Sequence, residues 1–390
     1  MIYFDYNATT PCDEKVVEAM LPYFTAKFGN AASRTHAYGW TATAAVDKAR
    51  GAIARLIEAS AEEIVFTSGA TEACNLAIKG VFELFNQPEV AHKRPHIITC
   101  VTEHKAVLDT CAYLERQGAR ITYLPVDIEG KLSLAALESS ITDDTALIAL
   151  MYANNETGVV HPIAEVGAIA KRHKVWFFCD ATQAVGKIPV SVLRDQIDLL
   201  AMSAHKFYGP KGVGALFLRR RNPRARVVPQ INGGAHEQGF RSGTLNVPGI
   251  VGMGRAAEIC MQLGTAEWLR QQALIRKLRE CLLKISGTVI NGSDNNLLPN
   301  VCNIAFRGIK AEHLVSRLNG ELAFSVGSAC TSASQAPSHV LMGMGLDKAV
   351  IDGSVRLSIG RYTTEAEIDR AVQLITDAVQ ELIDEQNSLR

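Results

Sequence analysis

A lysine set among glycines and hydrogen-bonding side chains can do imine chemistry, and Ser203-Ala204-His205-Lys206, followed by Gly209, Gly212 and Gly214, is such a setting. Held at a strand end, an amine can condense with an aldehyde cofactor while a neighbouring serine and histidine grip a phosphate. The alternative is a solvated lysine in a glycine-rich turn, because most lysines serve solubility. No Gly-Lys-Ser/Thr closes the stretch, so it is not a Walker A loop. Ser68-Gly69-Ala70-Thr71-Glu72 offers a second chemistry: it opens a helix directly after the apolar run Ile64-Val65-Phe66, where free amides and the Thr71 hydroxyl can hold a phosphate. An ordinary Ser/Thr capping box is the other reading. Cys330 lies in Ser325 to Ser334, a run of small residues in which an accessible thiol suits nucleophilic transfer and a structural cysteine is the competing reading.

These residues need a scaffold that brings them together. Apolar runs at Ile97 to Cys100, Arg120 to Tyr123, Ala146 to Met151, Val175 to Cys179 and Asp198 to Met202 read as strands. Helical spacing falls between them at Lys105 to Gln117, Leu134 to Glu138 and Ile163 to His173. Near-continuous apolar strands alternating with helices predict an α/β fold with a mostly parallel sheet covered on both faces. Ligands in such sheets bind beyond the carboxyl ends of the strands. The polar residues at those ends are Ser68 to Thr71, Glu103-His104, Asn154-Asn155-Glu156, Asp180 with Gln183, and Ser203, His205 and Lys206, which predicts one convergent site.

Elsewhere the pattern is plainer. Glu14 to Phe24, Trp40 to Glu58 and Ala73 to Val81 read as helices, and Gly29 to His36 as a polar surface loop or a plain connector. Arg219 to Arg226 is the sharpest charge cluster, either a dock for an acidic partner or a solvated turn. Gly233 to Asn246 is a second glycine-rich polar loop, and leucines from Leu263 to Leu282 suggest a long linking helix. Alternation at Asn300 to Phe306 and Ser354 to Ile359, with helices at Ala311 to Leu318 and Glu365 to Glu385, predicts a smaller α+β domain. The expected division is a large domain over 15–260 and a small one from 1–14 and 261–390.

Composition narrows the class further. In 390 residues, 40 Lys+Arg balance 40 Asp+Glu, so no overall field points to nucleic acid or to a membrane surface. The N-terminus lacks a basic stretch followed by an apolar one, and no apolar run approaches the length that spans a bilayer, so a cytoplasmic protein is expected. Nine cysteines without a Cys-x-x-Cys pair suggest a reducing compartment and neither a disulfide framework nor a zinc site.

With these residues in view, the chain resembles the cysteine desulfurases, NifS-like pyridoxal-phosphate enzymes of the class V aminotransferase family and fold type I, in the group with a long active-cysteine loop. The resemblance runs nearly end to end. It is carried by Asp5 to Pro11, Phe66 to Glu72, Thr102 to Leu108, Asn154 to Gly158, Asp180 to Gln183, Ser203 to Lys206, Arg241 to Thr244 and Gly327 to Ser332. Each stretch alone is weak, and the ordered set is highly specific.

The resemblance implies pyridoxal 5'-phosphate held as an imine by Lys206, which would also move the Cα proton. Asp180 would pair with the pyridinium nitrogen, and His104 would stack on the ring and take part in proton transfer. Asn155 and Gln183 would bond the amino acid and the ring hydroxyl. Ala70, Thr71, Ser203 and His205 would bind the phosphate, with Thr244 reaching across from the neighbouring subunit of a homodimer. Arg356 would take the substrate carboxylate by a bidentate pair. The implied reaction converts L-cysteine to L-alanine, with sulfur passing to Cys330 as a persulfide and then to an acceptor protein. Iron–sulfur assembly, transfer-RNA thiolation, nitrogenase assembly and DNA phosphorothioation are the acceptor pathways such enzymes serve. Two departures stand out. Family members commonly have Leu-Glu-Pro-Ser where this chain has Gln335-Ala336-Pro337-Ser338, and housekeeping members often carry a longer docking tail where this chain ends at Arg390. Competing readings are another fold-type I reaction without a persulfide, and a non-enzymatic scaffold that docks a partner through Arg219 to Arg226.

Overall fold

The computed structural model describes residues 1–90, 92–293, 295–326 and 337–388. Strand β1 (Ile2–Tyr3) opens the chain. Among the described residues seven strands build the large sheet: β2 (Ile64–Thr67), β3 (His96–Cys100), β4 (Arg120–Leu124), β5 (Thr145–Met151), β6 (Trp176–Asp180), β7 (Leu199–Ser203) and β8 (Gly214–Leu218). Their spatial order is β2-β8-β7-β6-β5-β3-β4. All neighbours pair in parallel except β8, which runs antiparallel to both β2 and β7. The carboxyl ends of β2, β3, β5, β6 and β7 therefore share one edge.

Side-chain alternation explains why these strands read as unbroken apolar runs. In β5, Ile148 and Leu150 enter one core and Leu147 and Ala149 enter another on the opposite face, so both faces are dry. Helices Ala37–Leu56 and Val247–Leu282 cover the first face, and Ala70–Phe85 with Lys105–Glu115 cover the second.

A separate three-stranded antiparallel sheet follows, built from β9 (Thr288–Asn291), β10 (Val301–Phe306) and β12 (Ser354–Ser358), with β10 in the middle. Its apolar residues pack with Leu278, Leu314, Ile375 and Val379 from three helices and with Phe4 from the N-terminus. Strand β1 pairs in parallel with β11 (Leu322–Ala323), and Asp5 bridges to Ser358. The first residues are thus tied to the second core and run from there toward the edge of the large sheet.

Several boundaries differ from the sequence expectation, each for a local reason. The first helix stops at Met20 rather than Phe24, because Pro22 allows only a tighter turn over Leu21–Tyr23. The second spans Ala37–Leu56 and is capped by the His36 side chain. The long helix begins at Val247, where the Asn246 side chain accepts from the Gly249 amide, and it bends at Gly264, whose φ of 47° and ψ of −136° lie outside helical space. Strand β9 has only four residues, too few for alternation to reveal it. No helix among the described residues is long and apolar enough to cross a membrane.

Candidate active site

The shared edge of the large sheet opens into a cavity of about 470 Å³. Ala70 and Thr71 line it beyond β2, His104 beyond β3, Asn155 beyond β5, Asp180 and Gln183 at β6, and Ser203, His205 and Lys206 at β7. Arg356 reaches the same space from β12 of the second sheet. Thr244 does not line the cavity; it is exposed in the loop before the long helix. Cys330 and Ala336 lie outside the described residues.

Lys206 ends a short turn directly after β7, and its Nζ donates to the main-chain carbonyls of Asn7 and Ala8, each at 2.7 Å. Asp180 is the last residue of β6 and is buried; Oδ1 accepts from the Thr182 amide at 3.0 Å and Oδ2 from the Cys74 thiol at 3.9 Å. Burial first, then the nearby Asp180 carboxylate, pushes Cys74 well above the usual thiol range, so it stays a donor. His104 caps its helix: Nδ1 accepts the Ala106 amide at 3.1 Å, which puts the proton of a neutral ring on Nε2.

Helix Ala70–Phe85, whose first residues line the same cavity, starts at Gly69 with no side chain capping its first amides. The capping-box reading does not hold, since Gly69 is the N-cap and Glu72 Oε2 instead accepts the Ser68 amide at 2.8 Å, while Glu72 pairs with Arg241. Burial works against the Glu72 carboxylate, yet donors from Arg241 and Ser68 outweigh it and hold it below its ordinary pKa. Amides left without a side-chain cap at a helix start are suited to receive an anion. Close packing shapes it: a Cβ on Gly214 would stand 2.7 Å from the Gly69 backbone and 2.6 Å from the Met202 carbonyl. His205 shares a 3.1 Å hydrogen bond with Thr9 Oγ1, and burial, with Lys206, Lys211 and Lys187 adding repulsion, lowers it to about 4. Near neutral pH it is an uncharged ring.

Arg356 is buried, with NH2 on Asp5 Oδ1 at 2.8 Å and NH1 on the Asn155 carbonyl at 3.1 Å, while Nε has no hydrogen-bond partner among the described residues. The guanidinium is thus oriented by protein groups and keeps donor capacity.

Three residues that the sequence reading gave no role are central to this geometry. Asn7 receives Lys206 and Gln183 on its carbonyl and Lys187 and Asn300 on Oδ1, and it donates to the Asn155 carbonyl. Asp5 orients Arg356, and Lys187 touches Gln183. Asp5 and Asn7 sit within a stretch that carries the resemblance, but no pattern in sequence says which distant groups an early strand end will meet.

A doubly covered, mostly parallel sheet with a lysine, a carboxylate and an uncapped helix start at its carboxyl edge is the architecture of fold-type I pyridoxal-phosphate transferases. The family model described as aminotransferase class-V matches residues 2–371, and the chain belongs to that family. A curated relative, the cysteine desulfurase IscS of Anaeromyxobacter sp. (strain Fw109-5), is 50% identical over 98% of this chain and 93% of its own length. A solved NifS-like protein superposes with a TM-score of 0.90 at 37% identity, covering 98% of this chain and all of that one. The structure described as SspA in complex with cysteine has a TM-score of 0.79 at 36% identity, with 93% of this chain and all of that chain covered.

Proposed function

We propose that this chain is a pyridoxal-phosphate-dependent cysteine desulfurase, which converts L-cysteine to L-alanine and passes the sulfur to Cys330 as a persulfide for an acceptor protein. The observation that carries the reading is the convergence on one cavity of Lys206, Asp180 and His104, at or just past the ends of separate strands, with Arg356 from within β12.

The donor set fits pyridoxal phosphate: an amine, a buried carboxylate for a ring nitrogen, a histidine ring and open helix amides for a phosphate. Lys206 would hold the cofactor through Nζ, with Asp180, His104, Asn155 and Gln183 about the ring. Ala70, Thr71, Ser203 and His205 would take the phosphate, joined by Thr244 of a second copy in a homodimer, a role that suits its exposure in the single chain. Bound there, the cofactor supplies the electron sink that weakens bonds at the amino acid's Cα and Cβ.

The remaining steps belong to the chain's own groups. Arg356, oriented by Asp5 and Asn155, takes the substrate carboxylate. Lys206 Nζ would move the Cα proton, and the Asn7 and Ala8 carbonyls would steady the amine. The Cys330 thiolate would form an S–S bond to the substrate sulfur as the C–S bond breaks; the electron pair of that bond stays with the carbon, which takes up a proton, and alanine leaves. The expected domain division at 15–260 against 1–14 with 261–390 belongs to the same proposal; it sets the cavity between the large sheet and the sheet that carries Arg356.

Supplying L-cysteine and a reductant tests the reading. Wild type is expected to release alanine and sulfide, and Cys330→Ser to bind cofactor normally with sulfide near background. Full turnover by the serine variant would favour a fold-type I reaction without a persulfide.

A further inference from the structure

Lys187 is a second lysine beside the site, and nothing in the proposed chemistry uses it. It follows Gln183 by four residues on a helical turn, marked by the Val185 amide donating to the Ala181 carbonyl and Ile188 to Ala184. That spacing sets the two side chains on one side. Lys187 Nζ donates to Gln183 Oε1 at 2.5 Å and to Asn7 Oδ1 at 3.0 Å. Gln183 Nε2 in turn donates to the Asn7 main-chain carbonyl at 2.9 Å.

We propose that Lys187 is a positioning residue: it pins the Gln183 amide so that this side chain can only donate hydrogen bonds into the cavity, and it braces Asn7, whose carbonyl holds Lys206. The inference rests on the pyridoxal-phosphate reading above. An amide has a donor end and an acceptor end. Turning Gln183 over would set its N–H groups against the lysine N–H groups and its carbonyl against the carbonyl of Asn7. Both ends therefore fix one orientation. The Nε2 hydrogen not used by Asn7 is the group that Gln183 has left to offer the cavity it lines.

The surroundings of Lys187 argue against a merely stabilising role. Its hydrogen-bond partners among the described residues are two amide carbonyls, and the nearby charges are Lys206 and Arg356, both positive. Glu267 is the carboxylate that lines the small polar cavity of about 20 Å³ on its other side. Burial above all, with repulsion from Lys206 and Arg356, holds Lys187 well below the usual lysine range. An apolar side chain would cost less here than a buried amine.

The test follows the visible absorption of the pyridoxal-phosphate-loaded protein as a function of pH. A donor from Gln183 to the ring oxygen stabilises the anionic oxygen and weakens its hold on the titrating proton, so the midpoint is low in wild type. Lys187→Met frees the amide, and the midpoint is expected to move to higher pH by about one unit. Gln183→Ala should shift it equally, and the double variant no further, because both remove one donor. Should the methionine variant not fold, Lys187→Gln, one bond too short to reach both carbonyls, should shift the midpoint in the same direction. An unshifted midpoint in a folded Lys187 variant, or shifts that add in the double variant, overturns the proposal. Wild type with no cofactor-dependent visible band overturns the pyridoxal-phosphate reading itself, and this inference with it.

Discussion

Glu103 is fully buried one residue before His104, and its Oε1 accepts the Met151 amide at 2.7 Å while Oε2 has no hydrogen-bond partner among the described residues. Burial, reinforced by Asp180 and only partly offset by the Met151 amide, raises its carboxyl well above the ordinary range, so it stays protonated. An unfolded chain releases that proton above about pH 4.3, and the folded one keeps it, so the contribution of Glu103 to stability falls as pH rises. Glu103→Gln keeps an acceptor for Met151 and is expected within about 1 kcal/mol of wild type at acid pH, gaining on it toward neutral pH. Glu103→Ala strands the amide and opens a cavity, a loss of about 2–4 kcal/mol. Urea midpoints measured from pH 4 to 8 check both; a glutamine variant that falls further behind as pH rises would contradict the protonated state. Residues of this kind separate what sequence reveals from what it hides. Lys206, Asp180 and His104 were legible because their types announce chemistry at strand ends. The roles of Asp5, Asn7, Lys187 and Glu103 come from contacts between distant segments, and a glutamate next to a histidine carries no mark of being buried and neutral.

At the scale of elements, the site depends on how closely β8 approaches the start of helix Ala70–Phe85. Gly214 permits that approach, since a Cβ there would stand within 2.7 Å of two backbone groups. Gly214→Ala is expected to push the helix start away, lowering stability by about 1–3 kcal/mol and weakening pyridoxal phosphate binding roughly tenfold or more. Cofactor titration of the stripped protein reads the affinity, and an unchanged value would show that the helix amides do not hold the phosphate. The strands and the helices between them were readable from apolar runs and helical spacing, because a sheet buried on both faces leaves little ambiguity. Helix ends were less so: Pro22 cut one helix short, while Asn246 and Val247 started another well before its leucines. The bend at Gly264 is a backbone choice that composition cannot announce.

At the scale of the whole molecule, the catalytic edge of one sheet must face Arg356 on another, and the N-terminal segment ties the two. Phe4 packs in the second core, Asp5 holds Arg356, and Asn7 holds Lys206, all within four residues. That arrangement follows from tertiary pairing of β1 with β11, so the opening strand was visible in sequence while its consequence was not. The central claim is that this assembled cavity breaks the C–S bond of cysteine and leaves the sulfur on Cys330. One equivalent of L-cysteine, given to the pyridoxal-phosphate-loaded protein without reductant, tests it most directly when alanine and the mass of the Cys330 peptide are measured together. The expected result is alanine formed in step with one added sulfur on that peptide, lost on treatment with a thiol reductant. Alanine without sulfur on the peptide, or cysteine left intact by a fully loaded protein, would contradict it.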